Sequence, residues 1–406
     1  MAAEDARYRQ SSQYRLWSFS PVELATLREK SNALAKASIS ERMLSSNASR
    51  PASGANTPDG DATPTLPEFL TPTEEALLVT FYTSEVLRAG NHAGYRDAIK
   101  ATAAVFFRRF YVTNSIMTYP PNDMVLVTLF LANKAEANFV NIGEFANKFG
   151  KKNAESILAG EFLLCQALRF AFDVKHPFRA LKGAVMALRR IGGIDDKRIN
   201  AAEHRAHEIL CFSPLMTDAY FHYTPSQIML AALSLADRGL VEQLIADTFH
   251  HVSPPGTSGP GTPMETGDAP PPPRRDTKSE DKATIIGAWI RDKVLGTIEA
   301  CRDMLSKELP EERREHWASQ DVFAAELKPL RKKLNKCRDP DRSNLLELHR
   351  RRREQARIKA ETEDDDAEDR GAALADDGAV FGDAGPRDTK RRKVGKGLED
   401  PFGGPL

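Results

Sequence analysis

A twenty-residue pattern recurs in this chain, 104 positions apart and without a gap: Asn114–Asn133 aligns on Asp218–Asp237. Tyr119, Pro121, Leu126, Leu129, Leu131 and Ala132 fall on Tyr223, Pro225, Leu230, Leu233, Leu235 and Ala236, and every pair is an identity. Each copy runs from a polar stretch through Tyr-x-Pro into an almost wholly apolar segment. A proline at the first helical position presets φ and gives up an N–H that would have no partner there. A helix that is apolar on all sides must be buried on all sides. A chain with two such helices has to gather other helices around each, which predicts two helical units of about 100 residues.

The remaining pattern supplies those other helices. Glu74–Leu87 starts behind Thr71-Pro72-Thr73, with acids in the first turn. Arg96–Tyr111, Asn122–Ala135, Asn141–Lys148 and Asn153–Phe170 follow, then Phe178–Arg190, Lys197–Cys211, Pro214–His222, Pro225–Asp237 and Val241–His250. No long segment alternates with period two, and no Asn-Gly or Asp-Gly turn joins two strand-like runs. The expected class is all-α.

Polar segments interrupt this pattern. Ser45–Pro64 is rich in Ser, Asn, Gly, Pro and Ala and is expected to be a disordered linker. Val252–Ser279 holds eight Pro and four Gly and is expected to be an extended loop. The hydrophobic fraction of 41 % therefore averages a folded centre with polar arms. The 57 basic and 57 acidic residues also cancel only on average. Arg331–Lys359 has twelve basic and four acidic residues, Glu361–Asp369 has seven acids, and Lys390, Arg391, Arg392 and Lys393 form a candidate nuclear-import signal. The basic segment, with Leu345, Leu346 and Leu348, is expected to be a helical arm. It is either solvated and opposite the acidic tail, or a docking element for a partner or nucleic acid.

Several function classes are set aside by what the sequence lacks. Cys165, Cys211, Cys301 and Cys337 form no CxxC pair, which argues against a zinc ribbon and for a reduced compartment. The start, MAAEDARYRQ, has no apolar export core. The longest apolar run, Met124–Ala132, is short of the roughly 20 residues that cross a bilayer. There is no GxxxxGK[ST], GxSxG or HExxH, and no GxGxxG after a strand, so a non-enzyme is expected. His204 and His207 have a spacing that suits a metal, but no nearby Cys or acid cluster completes a site, so an exposed helical surface is expected. Phe107, Arg108, Arg109 and Phe110 mix aromatics with arginines. Core phenylalanines beside solvated arginines are expected, rather than a nucleic-acid surface. Thr57, Thr63, Ser253 and Thr262 precede prolines in expected loops and are weak candidates for phosphorylation.

Three stretches carry a resemblance to a known family. Phe106-Phe107-Arg108-Arg109-Phe110-Tyr111, Asn114-Ser115-Ile116-Met117-Thr118-Tyr119-Pro120-Pro121 and Thr128-Leu129-Phe130-Leu131-Ala132-Asn133-Lys134 resemble the first box of the cyclins. Leu215–Tyr220 with Tyr223–Ile228 resembles their second box, and Ser11–Phe19 an N-terminal segment of the same family. The resemblance covers about 7–30 and 66–308. It implies a first cyclin box over 66–172 and a second over 174–308, five helices each, with a Pro/Gly-rich insertion at 252–279 between the last two helices. Around them it implies an N-terminal segment 1–65 with one helix (Pro21–Leu34) and a linker, a basic helical arm 309–360, and a disordered tail 361–406.

The resemblance also implies a role. The N-terminal and Asn-Ser-Ile-Met stretches favour the branch that activates the CDK-activating kinase of transcription factor IIH. The implied partners are a cyclin-dependent kinase catalytic subunit, a RING-type assembly factor and the transcription factor IIH core, in the nucleus. No cofactor, membrane or specific nucleic-acid contact is implied. The implied outputs are phosphorylation of the RNA polymerase II C-terminal domain and of other kinases' activation loops. Two alternatives stay open: a cyclin of the Mediator kinase module, and a promoter-binding factor like transcription factor IIB. The absence of cysteine before Cys165 counts against the second, which carries an N-terminal zinc ribbon.

On a helical wheel Glu161 joins the stripe of Ile157, Leu164, Cys165 and Leu168, so its carboxylate must be partnered or at an interface. Lys134 ends an apolar helix, where it either snorkels or serves a partner. By resemblance, Lys134 and Glu161 are the pair with which cyclins grip the kinase beside its regulatory helix. Phe130 and Glu136 are assigned to the same surface. The chain departs from the family in three places. Glu136-Ala137 stands where an acidic pair is usual, Asn133 replaces a smaller residue, and Leu77–Tyr82 lacks the Met-Arg-x-x-Leu patch that captures substrates.

Overall fold

The structure is a computed structural model that describes residues 2–48, 66–150, 154–250, 277–342, 344–355 and 357–358. The insertion up to residue 276, the Ser/Thr-Pro steps, the acidic tail and Lys390–Lys393 lie outside the described residues. All regular structure among the described residues is helical, as expected. No helix there is long and apolar enough to cross a membrane. The described residues up to Arg350 belong to one compact unit; 351–355 and 357–358 belong to a second and are helical.

Each copy of the repeat becomes the central helix of a bundle. The first bundle comprises α4 (Pro72–His92), α5 (Asp97–Thr113), α6 (Pro121–Ala135), α7 (Ile142–Lys148) and α8 (Glu155–Ala167). Helix α6 packs against α4, α5 and α8, and every residue from Met124 to Asn133 is buried. The second comprises α9 (Phe178–Ile191), α10 (Asp196–Leu210), the short α11 (Ser213–Met216) and α12 (Ala219–His222), α13 (Pro225–Ala236), α14 (Arg238–His250) and α15 (Thr277–Leu305). Helix α13 packs against α9, α10, α14 and α15. It is less enclosed than α6: Leu230 and Leu235 are half-buried.

Local chemistry fixes the helix starts. Thr71 caps α4 by accepting the Glu74 N–H at 3.2 Å, while the Glu74 carboxylate accepts the Thr71 N–H at 2.7 Å. Thr224 and Gln227 repeat this box ahead of α13. Helix α6 begins at Pro121 behind Pro120, which has no side chain to cap with. The expected single helix Pro214–His222 is broken at Thr217-Asp218, where the Asp218 side chain is turned to bind two arginines from other elements. Gly160 sets a close approach of α8 to α6. A Cβ there would lie 2.6 Å from Val127 Cγ2 and 3.4 Å from Leu345 Cδ1.

The N-terminal segment is more helical than expected. Helices α1 (Ala2–Gln10) and α2 (Ser12–Trp17) precede α3, which runs Pro21–Ala48 rather than Pro21–Leu34 and enters the expected linker. The reason is continued burial. Leu24, Ala35 and Ile39 extend one apolar stripe, and Arg42 near the far end pairs with the buried Asp339. The C-terminal arm is likewise not simply solvated. Helix α16 (Pro310–Ala318), α17 (Gln320–Val322), a π-helical turn Phe323–Leu327 and α18 (Lys328–Lys336) bury Trp317, Leu327 and Leu334. Phe323 rests 6.0 Å from Phe81 of α4, and Lys333 reaches Glu74 at 2.9 Å and Glu68 at 2.6 Å. The π turn sits just before Pro329, which has no N–H for the helical ladder.

The expected solvated arginines are both buried. Arg108 donates to Asp218 Oδ1 at 2.6 Å and to the Met216 carbonyl at 3.2 Å. Arg28 of α3 grips the same carboxylate with two bonds of 2.9 and 2.6 Å. One carboxylate thus joins the N-terminal helix, the first bundle and the second. Burial pushes the Asp218 carboxyl up, but the hydrogen bonds and charges of Arg28 and Arg108 more than reverse this and hold it well below the usual range. Arg109, 1 % exposed, lies 5.2 Å over the Trp17 ring, and burial pushes its guanidinium down to about 10.

The Asp218 clamp yields a test. Asp218→Asn should lower the free energy of unfolding by about 3 kcal/mol, because it leaves two guanidinium groups without their anion. The folded carboxyl titrates below its unfolded value of about 4, so its stabilisation is complete above that pH and lost as pH falls below it. Urea unfolding across the acid range should therefore show a steeper loss below about pH 4 in the native chain than in the variant. Parallel curves would contradict the clamp.

Candidate functional site

The last turn of α6 and the middle of α8 meet at the surface because Gly160 lets the two backbones approach. Glu161 is the next residue, and its Oε1 lies 2.5 Å from Lys134 Nζ. The Lys134 ammonium also sits 4.6 Å over the Phe130 ring. Lys134 is 47 % exposed and Glu161 18 %. Ion pairs this open to water contribute about 0–1 kcal/mol to folding. Their fixed geometry is therefore more useful to a partner than to the fold. The carboxylate accepts, the ammonium keeps free protons to donate, and each holds the other in place.

Three residues that the sequence reading passed over stand out here. Leu158 and Phe162 flank Glu161 on one side of α8 and are exposed, and Phe139, five residues beyond Lys134, is 92 % exposed. Exposed aromatic and aliphatic side chains near a fixed ion pair are the composition of a protein interface core. The signal for Leu158 and Phe162 was their spacing from Glu161, which puts 158, 161 and 162 on one helical face, beside the buried stripe of Ile157 and Leu164; Phe139 lies in a loop and had none.

The other two residues assigned to this surface sit differently. Phe130 is 3 % exposed, so it acts as a floor beneath Lys134 and offers no surface of its own. Glu136 turns away from the pair. Its Oε1 accepts the Thr102 hydroxyl at 2.6 Å, Thr102 Oγ1 lies 2.8 Å from His176 Nε2, and His176 Nδ1 lies 2.8 Å from the Tyr220 hydroxyl. Because the Thr102 proton goes to the carboxylate, His176 Nε2–H donates to Thr102 and Tyr220 O–H donates to Nδ1. This one-way chain links α5 and α6 of the first bundle to α12 of the second. Burial of the two nitrogens, with Arg109 adding to it, pushes His176 down to about 3. Asn133 orders the same corner. It donates to the Leu129 carbonyl at 2.7 Å and receives Asn138 Nδ2 at 2.5 Å, after which Ala137 takes a left-handed φ of 53°.

His204 is exposed, as expected. His207 departs from expectation, because the fold brings Cys211 and Asp97 to it. All four cysteines are free thiols.

Comparison with known proteins places this geometry in context. Residues 176–306 match a family model described as the cyclin C-terminal domain. The chain is 34 % identical over 249 residues to cyclin CCL1 of Saccharomyces cerevisiae, covering 61 % of this chain and 62 % of that one, so it spans less than two thirds of that relative. It is 30 % identical over 231 residues to cyclin mcs2 of Schizosaccharomyces pombe, covering 56 % and 68 %. Among solved structures, a chain of the CAK complex from Chaetomium thermophilum bound to ATP-gamma-S matches with a TM-score of 0.73 and 60 % identity, covering 88 % of this chain and 96 % of that one. A chain of the yeast TFIIK (Kin28/Ccl1/Tfb3) complex matches with a TM-score of 0.52 and 26 % identity, covering 73 % and 100 %.

The buried histidine gives a second test. His176 titrates at about 3 when folded and about 6.5 when unfolded, so the unfolded state takes the proton first. Stability should fall as pH drops through that window, by up to about 1.4 kcal/mol per pH unit from this group. His176→Gln, which cannot titrate, should show a shallower decline in denaturation midpoint between about pH 6 and pH 4. An unchanged slope would place the pH dependence elsewhere.

Proposed function

The chain belongs to the cyclin family, and on that footing we propose that it is a cyclin H-type regulatory subunit that binds and activates a cyclin-dependent kinase. The observation that carries the reading is the fixed Lys134–Glu161 pair flanked along α8 by exposed Leu158 and Phe162. Lys134 donates to main-chain carbonyls of the kinase, and Glu161 accepts from its main-chain N–H groups. The apolar residues around them supply the buried area. Docked there, the kinase's regulatory helix is held inward, which completes the kinase's own Lys–Glu pair and ATP site.

The chemistry belongs to the partner: this chain supplies position, and the kinase supplies phosphoryl transfer. The outputs are phosphorylation of the RNA polymerase II C-terminal domain and of other kinases' activation loops, serving transcription initiation, DNA repair and the cell cycle. The similarity to chains of a CAK complex and of a Kin28/Ccl1/Tfb3 complex supports a kinase partner and a third assembly subunit, which we take to be of RING type. Association with the transcription factor IIH core and nuclear import through Lys390–Lys393 belong to the same reading. These relatives favour it over the Mediator-type and promoter-binding alternatives. Substrate capture through α4 is not part of it, because Leu78, Phe81 and Tyr82 are buried and Phe81 is covered by Phe323.

The test is the paired charge reversal Lys134→Glu with Glu161→Lys. It should weaken kinase binding by about 2–5 kcal/mol, roughly 30-fold or more. Helicity and melting temperature should stay within error, because the pair contributes so little to folding. Phe162→Ala should weaken binding by an independent amount. Unchanged kinase activation by the double reversal would remove the pair from the interface, and failure of the native chain to bind any cyclin-dependent kinase would remove the function.

A further inference from the structure

A second cluster of reactive side chains joins the two bundles. Asp97 lies in the first turn of α5, and His207 and Cys211 lie at the end of α10, one helical turn apart. His207 Nδ1 lies 3.6 Å from Cys211 Sγ, and the opposite ring nitrogen, Nε2, lies 3.6 Å from Asp97 Oδ2; a single ion takes only one of these nitrogens. One ligand atom from each residue falls within 4.8 Å of the others. We propose that Asp97, His207 and Cys211 form a three-ligand site for a zinc-like divalent cation, which fastens the first bundle to the second.

The donor set and spacing suit that ion. Thiolate, imidazole and carboxylate are the three zinc ligand types, and three protein ligands leave a fourth position to water. Tetrahedral bonds of about 2.3 Å to sulfur and about 2.0 Å to nitrogen set those two ligands roughly 3.6 Å apart. The supporting groups are already present. Lys100 holds the other Asp97 oxygen, Oδ1, at 2.8 Å and keeps a second partner in Asn91 Oδ1 at 2.7 Å. Oδ2 is thereby turned toward His207 Nε2, and a rotation of the Asp97 or His207 side chain brings it to an ion held by Nδ1 and Cys211. The His207 ring is positioned by Phe178, 5.5 Å away. All three residues are half-exposed or exposed, so an ion can enter from solvent. Burial and the Asp97 carboxylate push the Cys211 thiol up to about 12, so the metal-free cluster holds a thiol. Coordination forms the metal–sulfur bond and releases that proton to solvent. Lys100 and Arg314 are the cationic groups facing Cys211, and their repulsion must be outweighed by the three coordinate bonds.

The experiment is a titration of the metal-free full-length chain with Co²⁺ under reducing conditions, followed by competition with Zn²⁺. One equivalent of Co²⁺ should give a sulfur-to-cobalt charge-transfer band, Zn²⁺ should displace it, and Zn²⁺ should raise the melting temperature. Cys211→Ser should abolish the band and weaken Zn²⁺ binding more than about 100-fold, and Asp97→Asn should weaken it about 10-fold or more. His204→Asn, on the exposed face of the same helix, should change nothing. His207→Asn, at a half-exposed position, carries the same test if Cys211→Ser does not fold. No band in the native chain, or a band that survives Cys211→Ser, overturns the proposal; a band lost in Cys211→Ser and kept in His204→Asn supports it.

Discussion

A single carboxylate, that of Asp218, carries the long-range order of this molecule. It is gripped by Arg28 from the N-terminal helix and by Arg108 from the first bundle, while its own backbone opens the turn into the second. Burying two guanidinium groups is costly unless an anion meets them with well-formed bonds. The geometry meets that condition, with three short bonds to one side chain. The contact also explains why the chain breaks between α11 and α12 instead of running on as one helix. The residue that opens the second copy's polar lead-in is the residue that closes the clamp.

The two bundles share a plan but not a degree of enclosure. Helix α6 is buried along its length, whereas α13 leaves Leu230 and Leu235 half-covered. The first bundle is wrapped from outside by α3 and by the C-terminal arm, through Asn32 on the Leu70 carbonyl, Arg42 on Asp339, and Lys333 on Glu74. The Lys134–Glu161 pair lies on that better-supported bundle. A site that must hold two side chains in register benefits from the more rigid foundation.

Features set by neighbouring residues were legible in the sequence. The prolines marked where α4, α6 and α13 begin, with acids in the first turn of α4, and the apolar run of α6 marked its burial. Features set by distant partners were not. Helix α3 reaches Ala48 because Arg42 meets Asp339, 297 positions away. Arg108 is buried because Asp218 lies 110 positions away. No periodicity reports such pairings. The Lys134–Glu161 contact lies between these cases. The wheel required a partner or an interface for Glu161, and only the family resemblance named Lys134. The roles of Phe130 as floor and Glu136 as link to His176 depended on which way each side chain turns. Leu158 and Phe162 escaped notice because an apolar residue in a helical segment is ordinarily taken for core, and Phe139 because it lies in the loop between two helices.

Gly160 has a consequence beyond packing. The missing side chain lets α6, α8 and the arm residue Leu345 converge at one point, directly behind Glu161. That point works as a fulcrum. The surface pair is aimed from the interior, so its alignment depends on volume at a position enclosed by Val127 and Leu345. The C-terminal arm rests on the same pivot and thereby has a mechanical route to the Lys134–Glu161 face.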